Sequence, residues 1–159
     1  MHRRSACAKQ RKLSGAASVA GGFICSHPLE YIHMAKNQTR WNERPVPQDY
    51  TAALNYLMLQ FPAATARRLA KKARGVKATE HIAKDLLRAS NLPLLPLEER
   101  HVAENLKRIR KGKALSPIIL IQGDLTRGRP LIIADGYHRM CAACHADEDS
   151  PVRGILVAP

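Results

Sequence analysis

The stretch Leu131–Ala143, LIIADGYHRMCAA, joins an apolar run to a helical run through one glycine. The run that ends at Asp135 predicts a buried strand, because four apolar residues precede the acid without interruption. Gly136 permits a sharp backbone bend, and the residues after it favour a short helix. The stretch therefore predicts a strand, a tight turn and a helix whose first amide groups lie at the turn.

Further elements are predicted on both sides of this turn. Upstream, SPIILIQ (residues 116–122) has the pattern of a buried strand, and residues 123–130 that of a hairpin turn. Downstream, SPVRGILVA (residues 150–158) predicts a closing strand. An amphipathic helix is predicted from Pro96 to Lys111, with Gly112 as its end. The order of residues 91–159 is that of an α+β domain with a small mixed sheet.

Residues 34–90 predict an all-helical module in front of that domain. Asp49 is placed to cap a first helix over residues 50–61. A second helix covers residues 63–74, and a third covers TEHIAKDLLRAS, residues 79–90. The apolar side chains expected to face inward are Leu54, Leu57, Met58, Phe61, Ile82 and Leu86.

The first 33 residues differ from the rest of the chain. They have a basic start and a soft run of small apolar residues, and they lack a periodic apolar face. We expect a disordered tail, or upstream sequence in front of a true start at Met34. The body from residue 34 keeps 21 basic against 12 acidic residues, which leaves a net charge of +9.

The charge of the whole chain indicates an anionic partner. Lys and Arg number 26 against 13 Asp and Glu, so that the net charge is +13. Such a surplus favours a nucleotide, a nucleic acid or an acidic protein. No apolar run reaches the length of a membrane span, so no membrane partner and a cytoplasmic location are expected. Two basic clusters are candidates for contact with a nucleic-acid backbone, or alternatively are solvated helix faces: Arg67, Lys71 and Arg74, and Lys107, Arg108, Arg110, Lys111 and Lys113.

Residues 141–145 spell Cys-x-x-Cys-His, the attachment signature of a c-type haem. The signature lies within the predicted helix, where Cys141 packs as a small apolar residue. We therefore expect no haem. A four-ligand zinc cage that includes His138 and His145 is also excluded, because the two lie about 10.5 Å apart along a helix axis. No metal is expected, although a partial site or a redox pair of Cys141 and Cys144 stays open.

Residues 135–139, Asp-Gly-Tyr-His-Arg, combine the features of an anion site. A helix N-terminus offers unpaired N–H groups, and the guanidinium of Arg139 adds a charged fork beside them. Asp135 can cap the helix, or it can orient His138 or Arg139. The competing interpretation is a structural turn in which Arg139 pairs with Asp135.

The order of elements from Leu92 to Val157 resembles the ParB/sulfiredoxin superfamily of α+β domains, and the resemblance implies a bacterial protein. That family has, in order, a leading strand, a helix, a strand, a hairpin, a turn with its helix and a last strand. The corresponding segments of this chain are LPLLP, VAENLKRIRKG, ALSPIILIQ, LTRGRP, LIIADGYHRMCAA and VRGILV. The family holds nucleotide phosphates at its Gly-x-x-Arg turn. The resemblance therefore implies phosphate contact at Gly136, Tyr137, His138 and Arg139, with a nucleoside triphosphate and Mg²⁺ as the ligand.

Two departures from the family narrow this expectation. Sulfiredoxins carry a catalytic cysteine directly after the glycine, whereas this chain has Tyr137, so reduction of sulfinic acids is not expected. The partition proteins of the family continue into a helix-turn-helix domain that has no counterpart in these 159 residues. Sequence-specific reading of a centromere is therefore not expected either.

Three functions remain open at this point. The favoured one is binding of a phosphate-bearing ligand, a nucleotide or a nucleic-acid backbone, at the turn. The second is a nuclease, phosphohydrolase or phosphotransferase, with His138 as general acid and base. In it Asp135 is the orienting group or a metal ligand, and Arg139 stabilises developing charge. The third is a non-catalytic interaction protein of a mobile element. Whether the domain catalyses a reaction is left open.

Overall fold

A four-stranded sheet with five α-helices makes up the part of the chain that the computed structural model describes, residues 38–159. The helices are α1 (Pro47–Gln60), α2 (Ala63–Ala73), α3 (Ala83–Ser90), α4 (Arg100–Arg110) and α5 (Tyr137–Ala146). The strands are β1 (Thr79–Ile82), β2 (Ile118–Ile121), β3 (Ile132–Asp135) and β4 (Pro151–Val157). The predicted α+β class is confirmed. The predicted tail, residues 1–33, lies outside the described residues.

The sheet is mixed, with the strand order β1-β4-β2-β3. β2 and β3 form the predicted antiparallel hairpin, and a single 3₁₀ turn over Leu125–Arg127 lies between them. β4 runs parallel to β2 and antiparallel to β1. The register sets Ile118 of β2 opposite Gly154 of β4. Because β4 lies between β1 and β2, the last strand of the chain is inside the sheet.

Both faces of the sheet are covered by helices. Ile118 and Leu120 point into a core shared with α3, α4 and α5, whereas Ile119 and Ile121 point into a core shared with α1 and α2. Successive side chains of a strand point to opposite faces, so an unbroken apolar run is the pattern of a strand buried on both sides. Each of these four side chains contributes about 1.5–3 kcal/mol by leaving water. The sheet is therefore the central layer of a three-layer arrangement, with helices on both faces.

The prediction that residues 34–90 form an all-helical module is wrong. Thr79–Ile82 form β1, which pairs with β4, and α3 begins only at Ala83. Ile82, which was expected to face inward, is 36% exposed, whereas Leu86 is buried. The tetrapeptide TEHI is a strand because β4 offers it unpaired backbone groups, and that partner lies about 70 residues further along the chain. The sheet therefore takes strands from both sides of the boundary drawn at residue 90.

Two helix starts also differ from the sequence pattern. α4 begins at Arg100 rather than Pro96, because Glu99 caps it, and residues 92–96 (LPLLP) form no strand. α1 begins at Pro47, a residue whose fixed φ suits the first helical position. Asp49 is therefore its third residue, and it accepts a hydrogen bond from the Val46 N–H at 3.2 Å. Met58, expected to face inward, is 43% exposed.

Candidate functional site

The strand, turn and helix predicted around Gly136 are all present. β3 ends at Asp135, Gly136 has a φ of +95°, and α5 begins at Tyr137. A Cβ at position 136 would collide with the Ile118 side chain, and the positive φ itself disfavours other residues. The first helical hydrogen bond runs from the Met140 N–H to the Gly136 carbonyl at 3.0 Å. The N–H groups of residues 137–139 therefore head the helix without an intrahelical acceptor.

A cleft of about 400 Å³ opens at this end of α5. α4 contributes His101, Asn105 and Arg108 to the lining, and the turn contributes Gly136 and His138. The other lining residues are Asn42, Val46, Leu115, Ser116, Asp135 and Arg139. The structure thus brings together the turn and one member of the predicted basic cluster, Arg108. His101 and Asn105 were not predicted, although both stand on the same helical face as Arg108, at spacings of three and four.

His138 lies beside groups from the start of α4. Its Nε2 is 3.8 Å from the Glu99 Oε2, and its ring centroid is 5.1 Å from that of His101. The same Glu99 oxygen accepts the Val102 N–H at 2.8 Å and so caps α4. Burial by itself raises the pKa of the Glu99 carboxyl, but the Val102 amide and the two histidines outweigh burial and lower it. Glu99 is therefore an ionised carboxylate beside His138, a position for which the sequence analysis proposed Asp135.

The Arg139 guanidinium lies between two carboxylates. Its Nη1 donates to the Asp49 Oδ1 at 3.1 Å, and its Nη2 pairs with the Asp135 Oδ2. The three side chains are only 17%, 9% and 19% exposed, respectively, so the charges interact largely out of water. Because two carboxylates face one guanidinium, Arg139 adds no net positive charge to the cleft. Its occupied Nη groups do not fit the predicted role of a phosphate ligand, and they agree with the structural interpretation of the turn.

Asp49 ties three elements together at this point. Its carboxylate accepts hydrogen bonds from the Val46 N–H before α1, the Ser116 hydroxyl before β2 and the guanidinium of Arg139 on α5. Only the first of these contacts is visible in the sequence, because Ser116 and Arg139 lie 67 and 90 residues away along the chain. Asp49 is a buried connection between the α1 layer and the wall of the cleft.

Asp135 serves Arg139 rather than His138. Burial raises the pKa of its carboxyl, and the Asp49 carboxylate raises it further, while the charge of Arg139 offsets only part of this. Within residues 38–159, no group of three or more His, Cys, Asp or Glu side chains is arranged to hold a metal ion. The Asp135 carboxylate lies on Arg139, and Glu99 is the carboxylate beside His138. The roles of Asp135 in orienting His138 or binding a metal stay predictions.

Tyr137 acts as an anchor for the loop before α4. Its hydroxyl donates to the Pro93 carbonyl, and burial raises its pKa. Tyr137 is not one of the residues that line the cleft among the described residues. The Tyr137 side chain therefore holds the loop at Pro93 against α5.

The Cys-x-x-Cys-His run lies on α5, as predicted. Cys141 is fully buried in the core between α5 and the sheet, and Cys144 is partly buried beside it. Burial raises the pKa of both thiols. The His145 Nε2 lies 2.7 Å from the Leu95 carbonyl oxygen, so the imidazole is engaged with the same loop that Tyr137 holds. These three side chains take part in packing.

The two predicted basic clusters lie on different layers. Arg67, Lys71 and Arg74 are exposed on α2. The other cluster ends α4, where cations interact favourably with the helix dipole, and of its members only Arg108 lines the cleft. The members of this cluster that lie outside the cleft are Lys107, Arg110, Lys111 and Lys113.

Within residues 38–159, no helix combines the length and apolar character that crossing a membrane requires. Comparison of the chain with protein-family models, curated proteins and solved structures gave no match. The resemblance to the ParB/sulfiredoxin superfamily stays a prediction.

Proposed function

We propose that the cleft binds the phosphate groups of a nucleotide, with the N-terminus of α5 as the anion site. The observation that carries this proposal is the position of the N–H groups of residues 137–139, which head the helix at a cleft that Arg108 also lines. Such N–H groups and the positive end of the helix dipole together favour phosphate. The resemblance of the turn to the Gly-x-x-Arg turn of the ParB/sulfiredoxin superfamily supports the same assignment.

Positive charge in the cleft comes from Arg108 on α4 rather than from Arg139. Arg108 carries a permanent charge, and His101 and His138 have side chains that are 48% and 44% exposed. Each imidazole can donate a hydrogen bond to a phosphate oxygen. Arg139 has a positioning role, because its contacts with Asp49 and Asp135 fix the first turn of α5 against α1 and β3.

A magnesium ion held by the protein does not fit these residues. The one acid of the turn, Asp135, is already paired with Arg139. The other acid close to His138, Glu99, accepts the backbone amide that begins α4. We therefore assign neutralisation of the phosphate charge to Arg108 and to the helix dipole, with hydrogen bonds from the two histidines.

Replacing Arg108 with alanine should weaken ATP binding by about ten- to hundredfold, because a hydrogen bond to a charged group contributes roughly 1.5–3 kcal/mol. His138→Ala should also weaken binding, since it removes a donor beside the free amides. Titration calorimetry with ATP, ADP and inorganic pyrophosphate measures these affinities.

The matched control for this experiment is Arg110→Ala. Arg110 lies on the same helix and carries the same charge, but it is outside the cleft. Its removal should leave ATP affinity within about twofold of the wild type, since only long-range charge is lost. Equal weakening by Arg108→Ala and Arg110→Ala would show that ATP follows the overall charge and not the cleft.

A second candidate function is hydrolysis or transfer of the bound phosphate. The pair formed by His138 and the ionised Glu99, 3.8 Å apart, favours it, because a carboxylate beside an imidazole supports general acid and base chemistry. Steady release of phosphate from ATP by the wild type, lost in Glu99→Gln while ATP binding persists, would establish this function.

A further inference from the structure

The chain from Tyr50 to Thr79 carries six Lys and Arg residues and no acid. Five of the six stand on α2 or at its end and are exposed: Arg67, Arg68, Lys71, Lys72 and Arg74. We call these five residues the α2 cationic face. The opposite side of α2 is buried against the sheet through Ala66, Leu69 and Ala73. The charges therefore point away from the core that holds the helix in place.

Local stability of the helix does not account for Arg67 and Arg68 in this face. Arg67–Lys71 and Arg68–Lys72 are like-charged pairs at a spacing of four, and such pairs destabilise a helix. Arg67 and Arg68 also lie in the middle of α2, so the helix dipole does not stabilise them as it does Lys71 and Lys72 in the last turn. Neutral side chains at these positions would make the helix more stable.

Some cations elsewhere on the surface are paired with carboxylates. Arg88 lies 3.3 Å from Asp85, and Arg127 and Arg129 lie 3.3 and 3.7 Å from Asp124. On α2, Lys72 donates to the Ala158 carbonyl and Arg74 lies over the ring of Tyr50, so both hold the helix to its surroundings. Within residues 38–159, no ion pair involves Arg67, Arg68 or Lys71.

The α2 cationic face is separate from the nucleotide cleft. α2 packs with α1 on one face of the sheet, whereas α4 and α5 lie on the other. None of its five residues is among those that line the cleft. A ligand of this surface is therefore distinct from the nucleotide, and the two can be tested independently.

We propose that the α2 cationic face binds the phosphate backbone of a nucleic acid. The residues Arg67 to Arg74 span about 10.5 Å along the helix, at 1.5 Å per residue. A double helix presents about one phosphate charge per 1.7 Å of its axis, a density that several cations of this face can meet at once. A row of exposed cations along a helix fits contact with a repeated backbone rather than recognition of one small ligand.

The test compares two triple variants that remove the same charge from the full-length protein. Arg67→Ala/Arg68→Ala/Lys71→Ala removes the unpaired cations, and Arg88→Ala/Arg127→Ala/Arg129→Ala removes three paired ones. Fluorescence anisotropy with a labelled DNA duplex of about 20 base pairs, read between about 50 and 200 mM salt, measures affinity and its salt dependence. Thermal melts confirm that both variants fold.

The α2 variant should lose three phosphate contacts, which lowers the slope of log affinity against log salt by about 2.7. Over a fourfold range of salt, the wild type should therefore lose about 40-fold more affinity than the α2 variant. The control triple should keep the wild-type slope. Equal slopes for the two triples, no binding of DNA by the wild type, or tighter binding of polyglutamate than of DNA would each overturn the proposal.

Discussion

Replacing Arg139 with alanine should lower the free energy of unfolding by about 3–5 kcal/mol, the usual cost of removing one partner of a buried ion pair. The Asp49 and Asp135 carboxylates would be left without their shared cation at side-chain exposures of 9% and 19%. Urea denaturation at about pH 7 measures the loss. This would be one of the two largest effects of a single substitution at the site.

The loss should be smaller at about pH 5 than at about pH 7. The charge of Arg139 lowers the pKa of Asp135 against the effect of burial, so its removal raises that pKa further. A carboxyl with a raised pKa in the folded state stabilises the fold when protonated, and this stability disappears as the pH rises through the folded pKa. A simple loss of packing would cost the same at both values of pH.

The control is Arg127→Ala, which removes a cation from an exposed pair with Asp124. It should change stability far less, because water already screens that pair. Arg139→Lys should recover only part of the loss, since one ammonium cannot fork between two carboxylates. If Arg139→Ala proves as mild as Arg127→Ala, the buried network does not stabilise the turn as described.

Gly136→Val should cost about 2–6 kcal/mol of unfolding free energy, because two penalties of about 1–3 kcal/mol each coincide. The φ of +95° is strained for a β-branched residue, and a Cβ there would collide with Ile118 and lie 3.0 Å from the guanidinium of Arg139. The variant should also displace the first amides of α5. Urea denaturation measures the first effect, and ATP titration of the remaining folded protein measures the second.

Gly112→Val separates the two penalties. Gly112 has a φ of +64°, but a Cβ there would meet no atom within 4 Å, so only the backbone strain applies. Its cost should be about 1–3 kcal/mol, with ATP affinity unchanged. Equal costs at positions 112 and 136 would show that the collision with Ile118 is relieved by small movements and that close packing is not what fixes the turn.

The elements that the sequence predicted correctly are those whose signals are local. The unbroken apolar run of residues 118–121 marks a strand that is buried on both faces, and Gly136 marks the change from strand to helix. These patterns act through neighbouring residues, so a short window contains the whole signal. The antiparallel hairpin of β2 and β3 follows for the same reason.

The features that sequence reasoning missed depend on partners far along the chain. β1 is a strand because it pairs with β4, and the residues TEHI on their own lack the alternation that would reveal it. The helices α1 and α2 form a layer because they cover the second apolar face of β2. The apolar pattern of β2 shows that both of its faces are buried, but it does not show which helices cover them. In both cases tertiary pairing decided the structure.

The candidate site also combines features with local signals and features that depend on distant residues. The turn and its glycine were predictable, whereas the partners of its charged residues were not. Arg139 meets Asp49 across 90 residues, and Glu99 rather than Asp135 accompanies His138. The sequence pattern therefore assigned Arg139 to a phosphate ligand, although its guanidinium pairs with Asp49 and Asp135 in the structure. The proposed anion site consequently depends on the backbone amides that begin α5, whose place the sequence predicted from Gly136 and the helix after it.

The most direct test of the central claim is a titration of ¹⁵N-labelled protein with ATP, followed by the amide resonances. We predict that the largest shifts occur at the N–H groups of residues 137–139, with smaller shifts at Arg108 and His101, and that inorganic pyrophosphate reproduces the shifts at 137–139. Amides on α2, on the other side of the sheet, should not move. Shifts confined to α2, or no shift at residues 137–139 at saturating ATP, would contradict the assignment of the α5 N-terminus as a nucleotide phosphate site.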